Sequence, residues 1–219
     1  MTIAELSLPP NRSDDRHRGA DPHPATPAGN LPTLMLFPAG TEIYVQGEKC
    51  RNFYQVEFGA VRVHRLSADG RRQILAFHLA GETFGLEPSQ THHFFAEATC
   101  ATGIRVRRAA PMQDHAAEDL LPMALTGLVR AQEHLLVLGR QNSLERVAAF
   151  LLEMSERQGG LSEVELPMSR MDIADYLGLT IETVSRSFSK LRQKGIIRLS
   201  SMRSVEFVRP QSLCDMVAG

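Results

Sequence analysis

The stretch from Ser169 to Gly195, SRMDIADYLGLTIETVSRSFSKLRQKG, constrains the fold more tightly than any other part of the chain. Ser169 and Asp172 form an S-x-x-D pattern, in which a hydroxyl and a carboxylate three residues apart satisfy each other's backbone N–H groups at a helix start. A short helix is expected over about 170–177, with Met171, Ala174 and Leu177 inward. Gly178 and Leu179 then turn the chain, and Thr180 is placed to cap a second helix. In that helix Ile181, Val184, Phe188 and Leu191 recur at i, i+3, i+7 and i+10, so they must face a core. The water side carries Glu182, Ser185, Arg186, Ser189 and Lys190. A short helix, a tight turn and a second helix with a hydrogen-bonding face make a helix-turn-helix, whose second helix can enter the major groove of DNA. Gly195 stops the helix. The run IIRLSSMRSVEFVR then reads as two short strands around a serine-rich turn, a wing with Arg203 near its tip and in reach of a phosphate.

Charge supports this placement. The whole chain of 219 residues has a net charge of only −1, but from Glu182 to Arg209 seven bases face two acids, a local +5. From Ser143 to Ile181 three arginines face seven acids, a local −4. Another reading of the helix surface is a solvated face on which Glu182 and Arg186 form an i,i+4 pair contributing about 0.2–0.5 kcal/mol. It leaves the turn, the two caps, the wing and the charge asymmetry unconnected.

The rest of the chain divides into segments. Residues 1–32 hold six prolines among polar and small residues, too little apolar surface to offset the entropy of ordering, and read as a mobile tail. Beyond them Gly40, Gly47, Gly59, Gly70, Gly81 and Gly85 separate β-rich runs such as FYQVEF, AVRVHRL and RRQILAFHL. In AVRVHRL, Val61 and Val63 alternate as in a half-buried strand, with Leu66 one step out of phase, and the Asp-Gly of SADGR supplies a hairpin turn. An antiparallel sandwich or roll follows over about 33–112. After Pro111 the period changes. Ala124, Leu128, Ala131, Leu135 and Leu138 step by four, three, four and three, a heptad seam of about two repeats, with Leu121 and Leu125 extending its apolar side. The seam pairs with a second copy or packs on the chain's own β domain. A further helix carries Leu144, Val147, Ala148, Leu151 and Leu152 on one side and ends at the QGG of 158–160. Three cysteines, Cys50, Cys100 and Cys214, lie far apart with no C-x-x-C pair, as in a reducing cytosol. No apolar run reaches the roughly 20 residues needed to cross a bilayer, and the first residues lack the apolar core of a signal peptide, so a cytoplasmic protein without membrane contact is expected.

The run IADYLGLTIETVSRSFSKLRQKGII and the β segment before it resemble the Crp/Fnr family of bacterial transcription regulators over about residues 33–217. The resemblance implies an α+β chain: an N-terminal antiparallel β-roll of cyclic-nucleotide-binding type over 33–117, a long dimerisation helix over 118–141, and a winged helix-turn-helix over 142–219. In the Fnr and FixK branches the recognition helix carries E-x-x-S-R, matched by Glu182, Ser185 and Arg186, and LAGETFGLEPSQTHHFFAEA is most similar to the FixK branch. Arg186 can donate two hydrogen bonds to O6 and N7 of guanine, Glu182 can accept from the cytosine amino group, and Ser185 can meet a thymine edge. The family half-site TTGA has that composition, and two half-sites a helical turn apart suit a two-fold homodimer on double-stranded DNA. Lys190, Arg203 and Arg170 are expected on the phosphate backbone, and Ser169, Thr180, Thr183 and Ser189 complete the candidate DNA-binding set. The resemblance also implies RNA polymerase as a partner and activation as the role.

The β-roll lacks what an effector would need. In this fold cyclic nucleotide is held by a Gly-Glu turn and an Arg-Ser pair on the phosphate; Gly81, Glu82 and Gly85 match the turn, but His92-His93 stands for Arg-Ser, and a largely neutral imidazole does not replace a guanidinium fork. The iron-sulfur cluster of the Fnr branch needs four thiolates, and the chain has three cysteines in all. No cofactor and no metal are expected, and Cys50 and Cys100 read as small buried hydrophobes. Two alternatives stand beside an effector-independent regulator: an effector-gated regulator with a ligand in the β-roll, and a cupin-like metal enzyme using His78, His92 or His93. The second leaves the helix-turn-helix unexplained, and adjacent histidines on a strand point to opposite faces.

Overall fold

The computed structural model describes residues 33–108 and 114–218. The expected tail and the change of period at Pro111 lie outside them. Eight strands come first: β1 (Thr33–Phe37), β2 (Glu42–Tyr44), β3 (Asn52–Phe58), β4 (Ala60–Leu66), β5 (Arg72–Leu79), β6 (Thr83–Phe84), β7 (Phe95–Ala98) and β8 (Thr102–Arg108). They form two antiparallel four-stranded sheets, ordered β1-β8-β3-β6 and β2-β7-β4-β5. Ile43, Tyr44, Tyr54, Val56, Val61, Val63, Phe84, Ala96 and Ile104 fill the space between the sheets.

β4 departs from simple alternation. Ala60, Val61, Val63 and His64 are all buried, while Leu66, the residue out of phase, is 47% exposed. A register shift at Val63/His64 interrupts the pairing with β5, and such a bulge turns the following side chains to the other face. The strand is buried on both faces because the second half of the chain packs on its outer side: Ala60, Ile74, Phe77 and Leu79 share one core with the C-terminal helices. At Gly103 the phenyl ring of Phe58 lies where a side chain would be, since an added Cβ would come 2.3 Å from it.

Helix α1 (Asp114–Gly139) begins earlier and ends sooner than the expected 118–141. Its end is fixed by Asn142, whose extended backbone and side-chain acceptor for the Leu144 N–H make it the N-cap of α2 (Ser143–Arg157). Pro122 lies inside α1. Strand β9 (Glu163–Glu165), helix α3 (Arg170–Leu177), helix α4 (Ile181–Gln193), strands β10 (Ile197–Leu199) and β11 (Ser204–Phe207) and helix α5 (Pro210–Ala218) complete the chain. β10 and β11 pair antiparallel as the wing, and β9 adds a third strand on the far side of β11, a contribution that its three residues do not announce in the sequence. Among the described residues no helix is long and apolar enough to cross a membrane.

Candidate nucleic-acid interface

α3 opens with both halves of a capping box. The Asp172 N–H donates to Ser169 Oγ at 3.1 Å, and the Ser169 N–H donates to Asp172 Oδ2 at 2.9 Å. α3 ends at Gly178, whose φ of 62° is the left-handed conformation that lets its N–H return to the Ala174 carbonyl. α4 starts at Thr180, whose hydroxyl accepts from the Thr183 N–H at 3.2 Å. Val184, Phe188 and Leu191 are buried in the shared core and Ile181 is half-buried against it. Helix α4 is therefore held at a fixed angle by α2 and α3, and its outer face is set by what remains.

On that face Glu182, Ser185, Arg186 and Lys190 are exposed, and Thr183 and Ser189 are half-buried at its edges. Neither the Arg186 nor the Lys190 side chain makes a hydrogen bond or ion pair with the described residues, so both cations are free to meet a ligand. Glu182 and Arg186 are not joined by an ion pair, although the Glu182 carboxyl is held below its usual range by its own backbone N–H, the Thr180 hydroxyl and, least, the field of Arg186. Arg203 is exposed on the wing, where its N–H is held by Ser201 Oγ at 3.1 Å. The row E-x-x-S-R can thus present an acceptor, a hydroxyl and a guanidinium fork along one groove-sized face.

Two residues stand elsewhere than the sequence suggests. The guanidinium carbon of Arg170 lies 3.3 Å from the centre of the Phe188 ring, and burial pushes its pKa down to about 10. It stacks within the helix pair, where the negative face of the ring offsets part of the cost of taking the cation out of water. Met171, expected inward, is 47% exposed, and the buried positions of α3 are instead Asp172, Ile173, Ala174, Tyr176 and Leu177. The hydroxyls of Ser169 and Thr180 are engaged in caps, which leaves them less to offer a phosphate.

α1 carries an exposed apolar row, of which Leu125 and Val129 also border a cleft against Glu153, Glu156 and Arg157 of α2. Leu128 and Leu135 are 54% and 66% exposed, and Leu121, Leu125, Val129 and Leu136 are exposed beside them. Ala124 and Ala131 are exposed too, but Leu138 is half-buried, with a methyl near Gly178. Met123, Thr126, Gly127, Arg130 and Ala131 line a cavity of about 240 Å³ shared with β5, α2 and α3. The apolar stripe is therefore centred nearer Leu121, Leu125, Leu128 and Leu135 than on the step that ends at Leu138.

At the turn expected to hold nucleotide, the Glu82 carboxylate is already engaged. It accepts from the Leu79 N–H at 3.0 Å and from Arg157 at 2.8 Å, and it pairs with Arg130 at 3.1 Å. Burial pushes its pKa up, but these donors outweigh that effect and hold it below the usual range. His92 is buried, stacked on Tyr44 with ring centres 3.7 Å apart, and its Nδ1 lies 2.9 Å from Glu87 Oε1. His93 is exposed; its backbone N–H donates to Glu87 Oε2 at 2.6 Å, and its ring Nδ1 lies 3.3 Å from the same oxygen. His78 is half-buried beside Phe84. Among the described residues no group of three or more His, Cys, Asp or Glu side chains is placed to hold a metal ion.

The sequence reading missed the carboxylate of Asp172. It is 3% exposed and accepts from Arg62 Nη1 at 3.0 Å and Arg72 Nη2 at 2.7 Å, both from the β-roll, while Arg72 also reaches Asp175. An acidic residue in a capping box signals a helix start, and nothing local in the sequence signals a partner 100 residues away.

Comparison with known proteins agrees with this architecture. Residues 145–216 match the Crp-like helix-turn-helix domain and residues 34–109 the cyclic nucleotide-binding domain. The nitrogen fixation regulation protein FixK of Rhizobium meliloti is 52% identical over 180 residues, which cover 82% of this chain and 85% of that protein. FixK of Azorhizobium caulinodans is 41% identical over 213 residues, 90% of this chain and 86% of the other. The solved structure of FixK2 from Bradyrhizobium japonicum superimposes with a TM-score of 0.80 at 42% identity, covering 86% of this chain and 98% of that one. With its β-roll, long helix and winged helix-turn-helix in the same order as these relatives, the chain belongs to the Crp/Fnr family as a transcription regulator of FixK type.

Proposed function

We propose that the protein acts as a homodimer that reads a TTGA-type palindrome in double-stranded DNA through α4 and activates transcription by contact with RNA polymerase, without a small-molecule effector. The observation that carries this reading is the exposed row Glu182, Ser185 and Arg186, with Lys190 beside it, on a helix whose other face is locked in a core. Arg186 and Glu182 address the guanine and cytosine of one pair, Ser185 an adjoining thymine, and Lys190 and Arg203 the phosphates. Arg170 is left out of this set because its guanidinium stacks on Phe188. The exposed leucines of α1 suit a second copy, because an apolar row of this length is stable in water only when covered. Two copies related by a two-fold axis present two recognition helices to two half-sites. The activator role is supported by the likeness to the transcriptional activator protein FnrL of Cereibacter sphaeroides, 30% identical over 226 residues, 94% of this chain and 91% of that protein.

Independence of effector is supported by the state of the nucleotide turn, where Glu82 is bound to arginines and His92 to Glu87. One observation favours a second reading, an effector-gated regulator: the cavity of about 240 Å³ between β5, α1, α2 and α3 is large enough for a small ligand. Fluorescence anisotropy of the purified protein with a labelled TTGA palindrome, with and without cyclic AMP, tests both. Tight binding that cyclic AMP leaves unchanged is expected; binding that appears only with the nucleotide contradicts the first reading.

A further inference from the structure

Four charged side chains join the β-roll to the DNA-binding domain at a place that neither the core nor the reading face accounts for. Asp172 lies in the first turn of α3, and one of its carboxylate oxygens completes the helix cap with Ser169. The other accepts from Arg62 on β4 and from Arg72 on β5, at 3.0 and 2.7 Å. Arg72 Nε donates to Asp175 Oδ2 at 2.9 Å, one helical turn further along α3, and Arg62 is also bound by Glu97 on β7. All these groups are at least three-quarters buried in their side chains, so solvent screens the pairs little. The β4–β5 hairpin therefore grips α3 at two successive turns on the side facing the β-roll, and every residue of the reading row on α4 stays exposed while the grip is made.

We propose that Asp172, held by Arg62 and Arg72, is a positioning residue for DNA recognition: the latch fixes the angle of the helix-turn-helix on the β-roll and thereby sets the separation of the two recognition helices in the dimer. The inference rests on the two-half-site reading above. Arg157 fixes α2 separately, through the Phe77 carbonyl at 2.6 Å and Glu82, and Ile74 and Phe77 keep their apolar seat in the shared core. Tyr176 on α3 also rests on Phe77, with ring centres 5.1 Å apart, so loss of the latch loosens the angle of α3 and α4 on the β-roll without dissolving either domain. A domain that samples many angles presents its second half-site at a lower effective concentration, so palindrome binding weakens while binding to one half-site does not.

The variant Arg62→Gln with Arg72→Gln tests this, together with the same pair combined with Asp172→Asn, Asp175→Asn and Glu97→Gln, which leaves no uncompensated charge in the cluster and keeps an oxygen for the Ser169 N–H. Expected is a fall of about tenfold in affinity for the palindrome, a change within about twofold for a single half-site, and a flatter dependence on half-site spacing when base pairs are inserted between the halves. Damage to the reading helix itself would lower both affinities alike, and that outcome overturns the proposal. So does an unchanged palindrome affinity with unchanged spacing dependence, and so does tighter binding. A measurement without DNA separates the latch from the two-half-site reading. Spin labels are attached at Ser67→Cys and Gln193→Cys, with Cys50, Cys100 and Cys214 replaced by alanine. A narrow distance distribution that broadens in the variants supports the latch even if wild-type protein shows no preference for palindromes, and a distribution that does not change overturns it.

Discussion

Acid should loosen the joint between the long helix and the helix-turn-helix, and His134 sets much of the amount. Its ring stacks on Tyr176 of α3 with centres 3.8 Å apart, it is 9% exposed, and its buried Nδ1 has no hydrogen-bond partner among the described residues. Burial without a partner disfavours the imidazolium and pushes the pKa down to about 4. The unfolded chain, with a value of about 6.5, binds a proton that the folded chain excludes. Stability is therefore complete above pH 6.5 and is lost as the pH falls toward 4. Between pH 7 and pH 5 this difference amounts to about 2 kcal/mol for His134 alone. His78, also pushed down to about 4 by burial, adds a loss of the same order. Phenylalanine at position 134 keeps an aromatic ring on Tyr176 and has nothing to titrate. Urea melts followed by circular dichroism at pH 7 and pH 5, at one protein concentration, should show wild type losing about 2 kcal/mol more than His134→Phe over this interval. Equal losses in the two proteins would refute the reasoning, because the proton would then be taken up elsewhere.

Leu128→Asp with Leu135→Asp places carboxylates on the exposed stripe of α1, where a second copy would bury them against their symmetry mates; sedimentation at micromolar concentration should show a monomer, and a persisting dimer would move the seam elsewhere. Thr180→Ala removes the acceptor for the Thr183 N–H and should lower stability by about 1 kcal/mol in chemical denaturation, with half-site affinity falling as the first turn of α4 frays; no change in either contradicts the capping role. Lys190→Ala should weaken binding to all sequences alike and lower the slope of log affinity against log salt by about one per subunit; a sequence-dependent loss would place Lys190 on a base.

The helix-turn-helix was legible because its determinants are local. Caps at Ser169 and Thr180, the left-handed Gly178 and the apolar step from Val184 to Leu191 each act within a few residues, and the structure forms the two helices at the positions those signals indicate. The hairpin of β4 and β5 was legible for the same reason, since an Asp-Gly turn lies between two apolar runs. What was missed depends on partners far along the chain. Met171 lies at a helical position that could face either way, and only the packing of α3 on β5 turns Ile173 and Asp172 inward instead. Arg170 reads as a free cation until Phe188 is placed beneath it. The stripe on α1 is rotated from the expected step because Leu138 turns toward the C-terminal half near Gly178, a contact that periodicity alone does not contain.

The central claim is that α4 reads a G·C pair through Arg186 and Glu182, and a binding competition over all four base pairs at that position of the palindrome tests it most directly. Removing the guanidinium in Arg186→Ala should cost about 1–3 kcal/mol per half-site and abolish the preference for G·C. Glu182→Ala should relax the same preference, since the two side chains address the two strands of one pair. Both variants should retain the affinity of wild type for DNA lacking the half-site, because Lys190 and Arg203 are untouched. If the preference for G·C survived in both variants, this face of α4 would not read bases through these residues, and the account would be contradicted at its centre.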